Sequence, residues 1–146
     1  MTQRRLAREC ALETLYRIDL VGDEAEGVIE EILSRKNPSD EAEEYLRRLV
    51  QTVITNQNDI DAILRRHLKR WRLERVTVLD RAILRMGAAE IIYFQDVPPK
   101  VSLNEAVEIS KKYGDDDSGK FVNGVLDGVF RETKGEAAPE AEAAPG

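Results

Sequence analysis

The sequence contains few of the residues that build disulfide frameworks and metal centres, and it has no long apolar run. Its 146 residues include one cysteine, Cys10, and one histidine, His67. This content excludes an internal disulfide and any zinc site built on cysteines. No apolar run approaches the ~18 residues of a membrane helix, and no apolar signal stretch follows the basic N-terminus. We therefore expect a cytoplasmic protein with no membrane segment, no metal and no cofactor.

Strand-like alternation of apolar and polar residues is also almost absent, and helical spacing of apolar residues takes its place. Ser39, Thr77 and Ser102 stand where side chains can cap helix N-termini. The sequence predicts an all-α domain over residues 1–133 and a disordered tail over 134–146, where the composition falls to Ala, Glu, Pro and Gly. The predicted helices, about seven in number, cover approximately residues 3–20, 24–35, 40–56, 58–68, 77–94, 102–113 and 118–130.

Basic residues are unevenly distributed along an acidic chain. The formal net charge is −6, which argues against binding nucleic acid over the whole surface. The first eight residues nevertheless contain three arginines and no acid, and residues 65–75 contain six Lys or Arg against one Glu. Such local patches are typical of a restricted nucleic-acid contact. The 65–75 run fits either an extension of that contact or an ordinary solvated face.

Candidates for catalysis have weak support. His67 lies in the basic run with no obvious cysteine or serine partner, so a solvated helix residue is the simpler interpretation. Residues 114–120 match the first seven positions of a phosphate-binding loop, but Phe121 stands where Ser or Thr should bind magnesium. No strand is predicted before this segment, and its three aspartates would repel phosphate. We expect these aspartates to stabilise the N-terminus of the last helix, and we expect no enzymatic activity.

Arginines and a tyrosine follow one ridge of the first predicted helix. Arg5, Arg8 and Tyr16 are joined through Leu12 at spacings of three and four residues, with Arg4 close by. Arginines followed by an aromatic ring suit single-stranded RNA, because guanidinium groups bind phosphate and a ring stacks under an unpaired base. The alternative is a solvated amphipathic edge on which Tyr16 is half-buried.

The last predicted helix combines an apolar stripe with a polar one, to which Lys120 and Asn123 belong. It also contains Gly124 and Gly128, one turn apart. Each glycine destabilises a helix by roughly 1 kcal/mol relative to alanine. This pair indicates that either a neighbouring helix or a ligand approaches the backbone closely.

Three segments resemble signatures of the NusB transcription antitermination family. They are RRLARECALETLYRID at residues 4–19, VSLNEAVEISKKYG at 101–114 and SGKFVNGVLD at 118–127. The resemblance spans about 3–130 and implies the family's fold of seven helices in two small helical subdomains. It also implies a non-enzymatic factor that binds the boxA element of ribosomal RNA leader transcripts together with NusE, a small ribosomal subunit protein. RNA polymerase and other Nus factors would complete an assembly that suppresses premature termination.

The same resemblance implies roles for individual residues. By position in its motifs, the RNA contacts would be Arg4, Arg5, Arg8, Tyr16, Lys120, Phe121 and Asn123. Asp80 and Asp117 lie where the family's RNA or protein-partner edge is expected. Phe121 falls at the margin of the apolar stripe, so it fits either a core residue or a base-stacking ring.

Two other functions and one assembly state also fit this sequence. The same fold occurs as the N-terminal RNA-binding domain of ribosomal RNA cytosine methyltransferases, which would make the chain an enzyme fragment. A protein-only adaptor would instead place the basic patches on acidic partners. Some family members dimerise, so a homodimer is an open alternative to a monomer.

Overall fold

Seven α-helices make up residues 2–134, the part of the chain that the structure, a computed structural model, describes. A short 3₁₀ turn, Leu73–Arg75, lies between the fourth and fifth helices. The predicted all-α fold is confirmed, whereas residues 135–146 of the predicted tail lie outside the described residues. The helices are α1 (Gln3–Val21), α2 (Ala25–Lys36), α3 (Asp40–Thr55), α4 (Gln57–His67), α5 (Val78–Tyr93), α6 (Pro99–Tyr113) and α7 (Asp116–Thr133).

Several helices begin where the sequence supplies a capping side chain. Ser39 and Thr77 each accept a hydrogen bond from the backbone amide three residues later, at 3.1 and 3.2 Å, as predicted for α3 and α5. Asp115 caps α7 in the same way, at 2.8 Å. Asp116 and Asp117 add negative charge to the first turn of α7, where it stabilises the positive end of the helix dipole. The acidic turn therefore starts a helix, as expected.

The start of α6 differs from the prediction. The helix begins at Pro99, three residues before the predicted cap Ser102, and Pro98 occupies the N-cap position. Proline is favoured in the first helical turn because its missing N–H has no helical partner there and its φ angle is already helical. Ser102 instead lies inside the helix, buried, and its hydroxyl donates a hydrogen bond to the Glu90 carboxylate at 2.7 Å.

The helices form two groups around one continuous core. The first group consists of α1, α2 and α3, and the second of α4, α5, α6 and α7. The central helix α5 contacts α1 and α3 as well as its own group, and it is buried on several faces. Apolar side chains from all seven helices belong to a single cluster. Because α5 packs against both α1 and α7, it fixes the relative positions of these two helices. Among residues 2–134, no helix has both the length and the apolar composition to span a membrane.

Gly124 and Gly128 face different surroundings on α7. A Cβ atom on Gly128 would meet the ring of His67, whose Cγ atom would lie at 2.8 Å, because the end of α4 packs there. A Cβ atom on Gly124 would meet no atom within 4 Å. The neighbour expected from this glycine pair is thus the end of α4 at Gly128, whereas Gly124 leaves an open surface.

We expect Gly124→Ala to raise the free energy of unfolding by about 0.5–1 kcal/mol, because alanine favours the helix and nothing obstructs its methyl group. Gly128→Ala should lack this gain, since the methyl group must displace the His67 ring and overpacking costs about 1–3 kcal/mol. Urea denaturation of both variants beside the parent protein measures the difference. Equal stabilisation by the two substitutions would contradict the packing of His67 on Gly128.

Candidate nucleic-acid interface

Arg5 and Tyr16 are both half-buried side chains of α1. The Arg5 guanidinium donates two hydrogen bonds to the Glu105 carboxylate of α6, at 2.5 and 2.9 Å. These hydrogen bonds lower the pKa of Glu105 and raise the pKa of Arg5. The Arg5 side chain keeps 26% of its surface exposed. Glu105 therefore holds Arg5 in one orientation while leaving part of its guanidinium accessible to a phosphate.

Arg8 does not share an exposed ridge with Arg5. Its guanidinium donates to both carboxylate oxygens of Glu90 on α5, at 2.7 and 2.8 Å, and the residue is only 3% exposed. Burial lowers the pKa of Arg8, but the hydrogen bonds and charge of Glu90 outweigh this effect and leave it raised. The prediction that Arg8 lies on the outer ridge is wrong, because a buried carboxylate in α5 draws its cationic partner inward.

Arg4 points toward α3. Its guanidinium lies over the Tyr45 ring, 4.1 Å from the ring centroid, a cation–π arrangement, and the residue is half-buried. Arg4 and Arg5 therefore leave the N-terminus of α1 in different directions, toward α3 and α6 respectively. Their guanidinium groups are two separate positive charges at one end of the bundle.

A shallow groove separates Tyr16 from the end of α6. Its walls include Tyr16, Leu79 and Tyr113, together with Glu9 and Leu12 of α1. Glu9 accepts hydrogen bonds from the Tyr113 hydroxyl and from a lysine of α6. Burial and the bond to Glu9 raise the pKa of Tyr113 to about 12. The two tyrosine rings and the two leucines give this groove apolar walls that suit a flat ring.

Three predicted RNA contacts lie side by side on the first half of α7. Lys120 and Asn123 are exposed. Phe121 is half-buried and packs against the core, yet its ring also borders two open grooves. Phe121 thus combines the two alternatives left open by the sequence, because one part of the ring packs on the core while another remains accessible.

A second groove, which we call the acidic groove, lies beside Phe121 and is lined by Asp80, Asp115 and Asp117. The Oδ1 atom of Asp80 is buried without a hydrogen-bond partner in the described part of the chain. Burial and the nearby Asp115 carboxylate raise the pKa of Asp80. Arg75 also lines this groove, but the three carboxylates outnumber it. The groove therefore presents mainly hydrogen-bond acceptors and negative charge, which suit the donors of a base or of a basic partner protein.

The start of α5 joins the two halves of the predicted site. Leu79 lines the groove beside Tyr16, and the next residue, Asp80, lines the acidic groove beside Phe121. The structure thereby brings Tyr16 and Phe121, which are 105 positions apart by number, to adjoining grooves. We call this continuous surface, from α1 across the start of α5 to α7, the α1–α7 surface.

The end of α4 is tied to the end of α7. A ring nitrogen of His67 lies 2.7 Å from the Glu132 carboxylate, and Arg66 donates to the same carboxylate at 3.1 Å. Hydrogen bonds from Arg66 and then His67 lower the pKa of Glu132 to about 2. His67 is therefore a packing residue in a surface ion cluster, which differs from the simple solvated residue that the sequence indicated.

Residues 2–134 contain neither a cluster of metal-binding side chains nor an exposed cysteine. No cluster of three or more His, Cys, Asp or Glu side chains there could hold a metal ion. Cys10 is buried, and burial raises the pKa of its thiol, which keeps it in the unreactive protonated form. Cys10 is thus a small core residue of α1, as its position on the apolar stripe predicts.

Glu90 and Glu105 hold the arginines of α1, and neither was identified from the sequence. Each lies more than 80 positions from its partner, with separations of 82 for Arg8 and 100 for Arg5. Glu90 did carry a signal, since it is an acid among the apolar residues of α5, where a buried carboxylate requires a partner. Glu105 carried no such signal, because an acidic residue on the surface of a helix is common and does not require a partner.

Comparison with known proteins gives a consistent set of relatives. The model of the NusB family matches residues 5–131. Transcription antitermination protein NusB from Bacillus mycoides is 41% identical over 130 residues, which covers 87% of this chain and 96% of that protein. NusB from Bacillus licheniformis is 42% identical over 127 residues, covering 87% and 95%.

Solved structures show the same similarity in three dimensions. NusB from T. maritima superimposes with a TM-score of 0.84 at 36% identity, covering 92% of this chain and 96% of that one. A crystal structure of antitermination factors NusB and NusE in complex with double-stranded RNA gives a TM-score of 0.83 at 35% identity, covering 90% and 98%. The matches therefore include nearly all of the helices described above.

Proposed function

The chain belongs to the NusB family and is a non-enzymatic transcription antitermination factor, and from this premise we propose that it binds boxA RNA together with NusE. The RNA would be the leader of a ribosomal RNA transcript, and the protein would act as a scaffold on it. The observation that supports this proposal is the α1–α7 surface, where accessible rings, exposed cations and an acidic groove lie next to one another.

The α1–α7 surface offers each kind of contact that single-stranded RNA uses. Cations bind phosphate and set the salt dependence, whereas rings and amides contact splayed bases. Arg8 would act indirectly by anchoring α1 to α5 through Glu90. The residues proposed to contact RNA are Arg4, Arg5, Tyr16, Lys120, Phe121 and Asn123.

We propose that NusE docks on the acidic groove, with Asp80 and Asp117 facing it. A basic ribosomal protein on this groove would offset the negative charge of the chain, whose formal net charge is −6, and so favour RNA on the adjoining surface. RNA polymerase and other Nus factors would then join this cytoplasmic assembly. The expected result is positive coupling between RNA and NusE of about 1–3 kcal/mol.

The test measures fluorescence anisotropy of labelled boxA RNA and of a scrambled RNA, with and without NusE, at two salt concentrations. We expect boxA to bind more tightly than the scrambled RNA, and NusE to raise the boxA affinity by roughly 5- to 150-fold. Affinity should fall as salt rises, because phosphate contacts release counterions. Equal affinity for the two RNAs would remove the boxA assignment, and indifference to NusE would remove the coupling.

The same measurement separates the remaining alternatives. A protein-only adaptor predicts no affinity for either RNA. The methyltransferase alternative has less support, because the Bacillus mycoides protein, matched over 96% of its length, is an antitermination protein. A homodimer would show as a mass that rises with concentration in sedimentation, and NusE would compete with it if both use the acidic groove.

A further inference from the structure

We propose that a third groove, between the loop after α4 and the first half of α7, binds further nucleotides of the same single-stranded RNA. This inference rests on the RNA binding proposed above and extends the bound segment beyond the α1–α7 surface. The groove is open, with a volume of about 400 Å³, and residues 67–71 face Lys120, Phe121 and Gly124 across it. We call it the Trp71 groove.

The aromatic side chain of Trp71 gives this groove an exposed stacking surface. Trp71 is 59% exposed, which is high for the largest apolar side chain of the chain. It borders the Trp71 groove and the acidic groove and a further depression behind the loop. Phe121 also borders the Trp71 groove and the acidic groove. When one base is stacked on Phe121, the neighbouring nucleotide of the strand therefore lies close to Trp71. Every base has a face that can stack on such a ring.

Cations line the same groove without acidic partners. Lys69, Arg70 and Lys120 are all exposed, and no acidic side chain in residues 2–134 lies within ion-pair distance of them. Arg65 and Arg66, earlier in the same basic run, are instead held by glutamates. The second half of the run is thus the part whose positive charge is free to bind phosphate.

Gly124 leaves the floor of the groove open. The residue is exposed, and a Cβ atom there would meet nothing within 4 Å. Packing therefore does not require glycine at this position, although glycine weakens a helix relative to alanine. A bare backbone next to rings and cations allows a ligand to approach α7 closely, which is the second of the two explanations considered above for the glycine pair.

Charge favours RNA over a protein partner as the occupant. The side chains that line the Trp71 groove include no carboxylate and several cations, whereas the adjoining acidic groove is lined by three aspartates. A basic protein such as the one proposed for the acidic groove would be repelled from the Trp71 groove. An RNA strand that passes Phe121 is attracted to the Trp71 groove. The acidic groove would therefore bind the basic protein, and the Trp71 groove would bind RNA.

The chain contains one tryptophan, so its fluorescence reports directly on this groove. The full chain is titrated with boxA RNA and with boxA RNA extended by about six uridines at either end, a length within the usual site size of single-strand binders. One of the extended RNAs should quench the Trp71 emission further and bind roughly 5- to 150-fold more tightly, as stacking on one ring predicts. Extended RNAs that bind no more tightly than boxA RNA and leave the emission unchanged would overturn the proposal.

Variants assign the effect to the groove. Trp71→Leu, and separately Lys69→Gln with Arg70→Gln, should reduce the affinity of the extended RNA to that of boxA RNA and leave boxA binding unchanged. The double variant should also reduce the salt slope of the extended RNA by about 1.4, or 0.7 for each lost phosphate contact. Lys36→Gln with Lys100→Gln removes the same charge from exposed positions outside all of the grooves and serves as the matched control.

A third variant blocks the space itself. Gly124→Gln should fold normally, because its side chain meets open space, and should abolish the advantage of the extended RNA. If boxA RNA itself does not bind, the proposed function fails. If boxA RNA binds and none of these variants affects the extension, only the Trp71 groove is rejected.

Discussion

Arg8→Ala is expected to lower the free energy of unfolding by about 3–5 kcal/mol. Arg8 and Glu90 are 3% and 2% exposed, and Arg8 donates both of the hydrogen bonds that pair its guanidinium with the carboxylate. Alanine leaves that carboxylate buried without a cation, with neutral donors such as the Ser102 hydroxyl, and a buried charge without its counterion is strongly destabilising. Urea denaturation followed by circular dichroism measures the change.

Two control variants test whether the instability of Arg8→Ala comes from the unpaired buried carboxylate. The first control addresses the loss of side-chain volume, and the second addresses the loss of one positive charge. Arg8→Met combined with Glu90→Met removes both charges and keeps apolar volume, so it should recover much of the stability. Arg5→Ala removes the same charge from the partly exposed pair with Glu105 and should cost no more than about 1 kcal/mol. A double variant as unstable as Arg8→Ala alone would show that packing, and not the unpaired carboxylate, causes the loss.

The burial of Arg8 changes how RNA-binding data on α1 must be interpreted. A loss of RNA affinity in Arg8→Ala would reflect a partly unfolded α1, because this side chain is the anchor between α1 and α5. Arg5 keeps an accessible guanidinium, and Arg5→Ala should weaken RNA binding in a folded protein. Of these two variants, only Arg5→Ala therefore tests a phosphate contact at the start of α1.

Local patterns predicted the helices because each helix carries its own signals. The caps at Ser39 and Thr77 form the predicted hydrogen bonds, and apolar spacing placed the helices within a few residues of their observed bounds. The start of α6 was predicted at Ser102 because Ser-x-x-Glu resembles a capping box. The hydroxyl of Ser102 was needed by Glu90 instead, a requirement that arises twelve residues away and is invisible to a local pattern.

The site was harder to predict because it depends on which face of each helix is turned inward. A spacing of three and four residues places Arg5, Arg8 and Tyr16 on one ridge, but it cannot say that the middle one faces Glu90. The partners of both arginines lie more than 80 positions away. On α7 the polar stripe did predict exposed Lys120 and Asn123, because the buried residues of that helix all belong to one stripe.

Phe121→Leu is expected to weaken RNA binding by roughly 5- to 150-fold, the range that corresponds to about 1–3 kcal/mol for one base stacked on one ring. Leucine keeps apolar volume on the core side, where Phe121 packs, and removes the ring surface that borders the two grooves. The free energy of unfolding should change by less than about 1.5 kcal/mol, as for other swaps of similar volume. Anisotropy titrations with boxA RNA and urea denaturation are performed on the same protein.

Phe130 supplies the matched control for this prediction. It lies on the same helix, is half-buried and packs against the same core, but it does not line any of the grooves near Phe121. Phe130→Leu should therefore change stability by a similar amount and leave RNA affinity unaltered. If both variants weaken RNA binding equally, Phe121 acts through the packing of α7. If neither weakens it, the accessible part of the Phe121 ring does not stack on RNA. Loss of affinity in Phe121→Leu alone would establish α7 as a surface that reads bases directly.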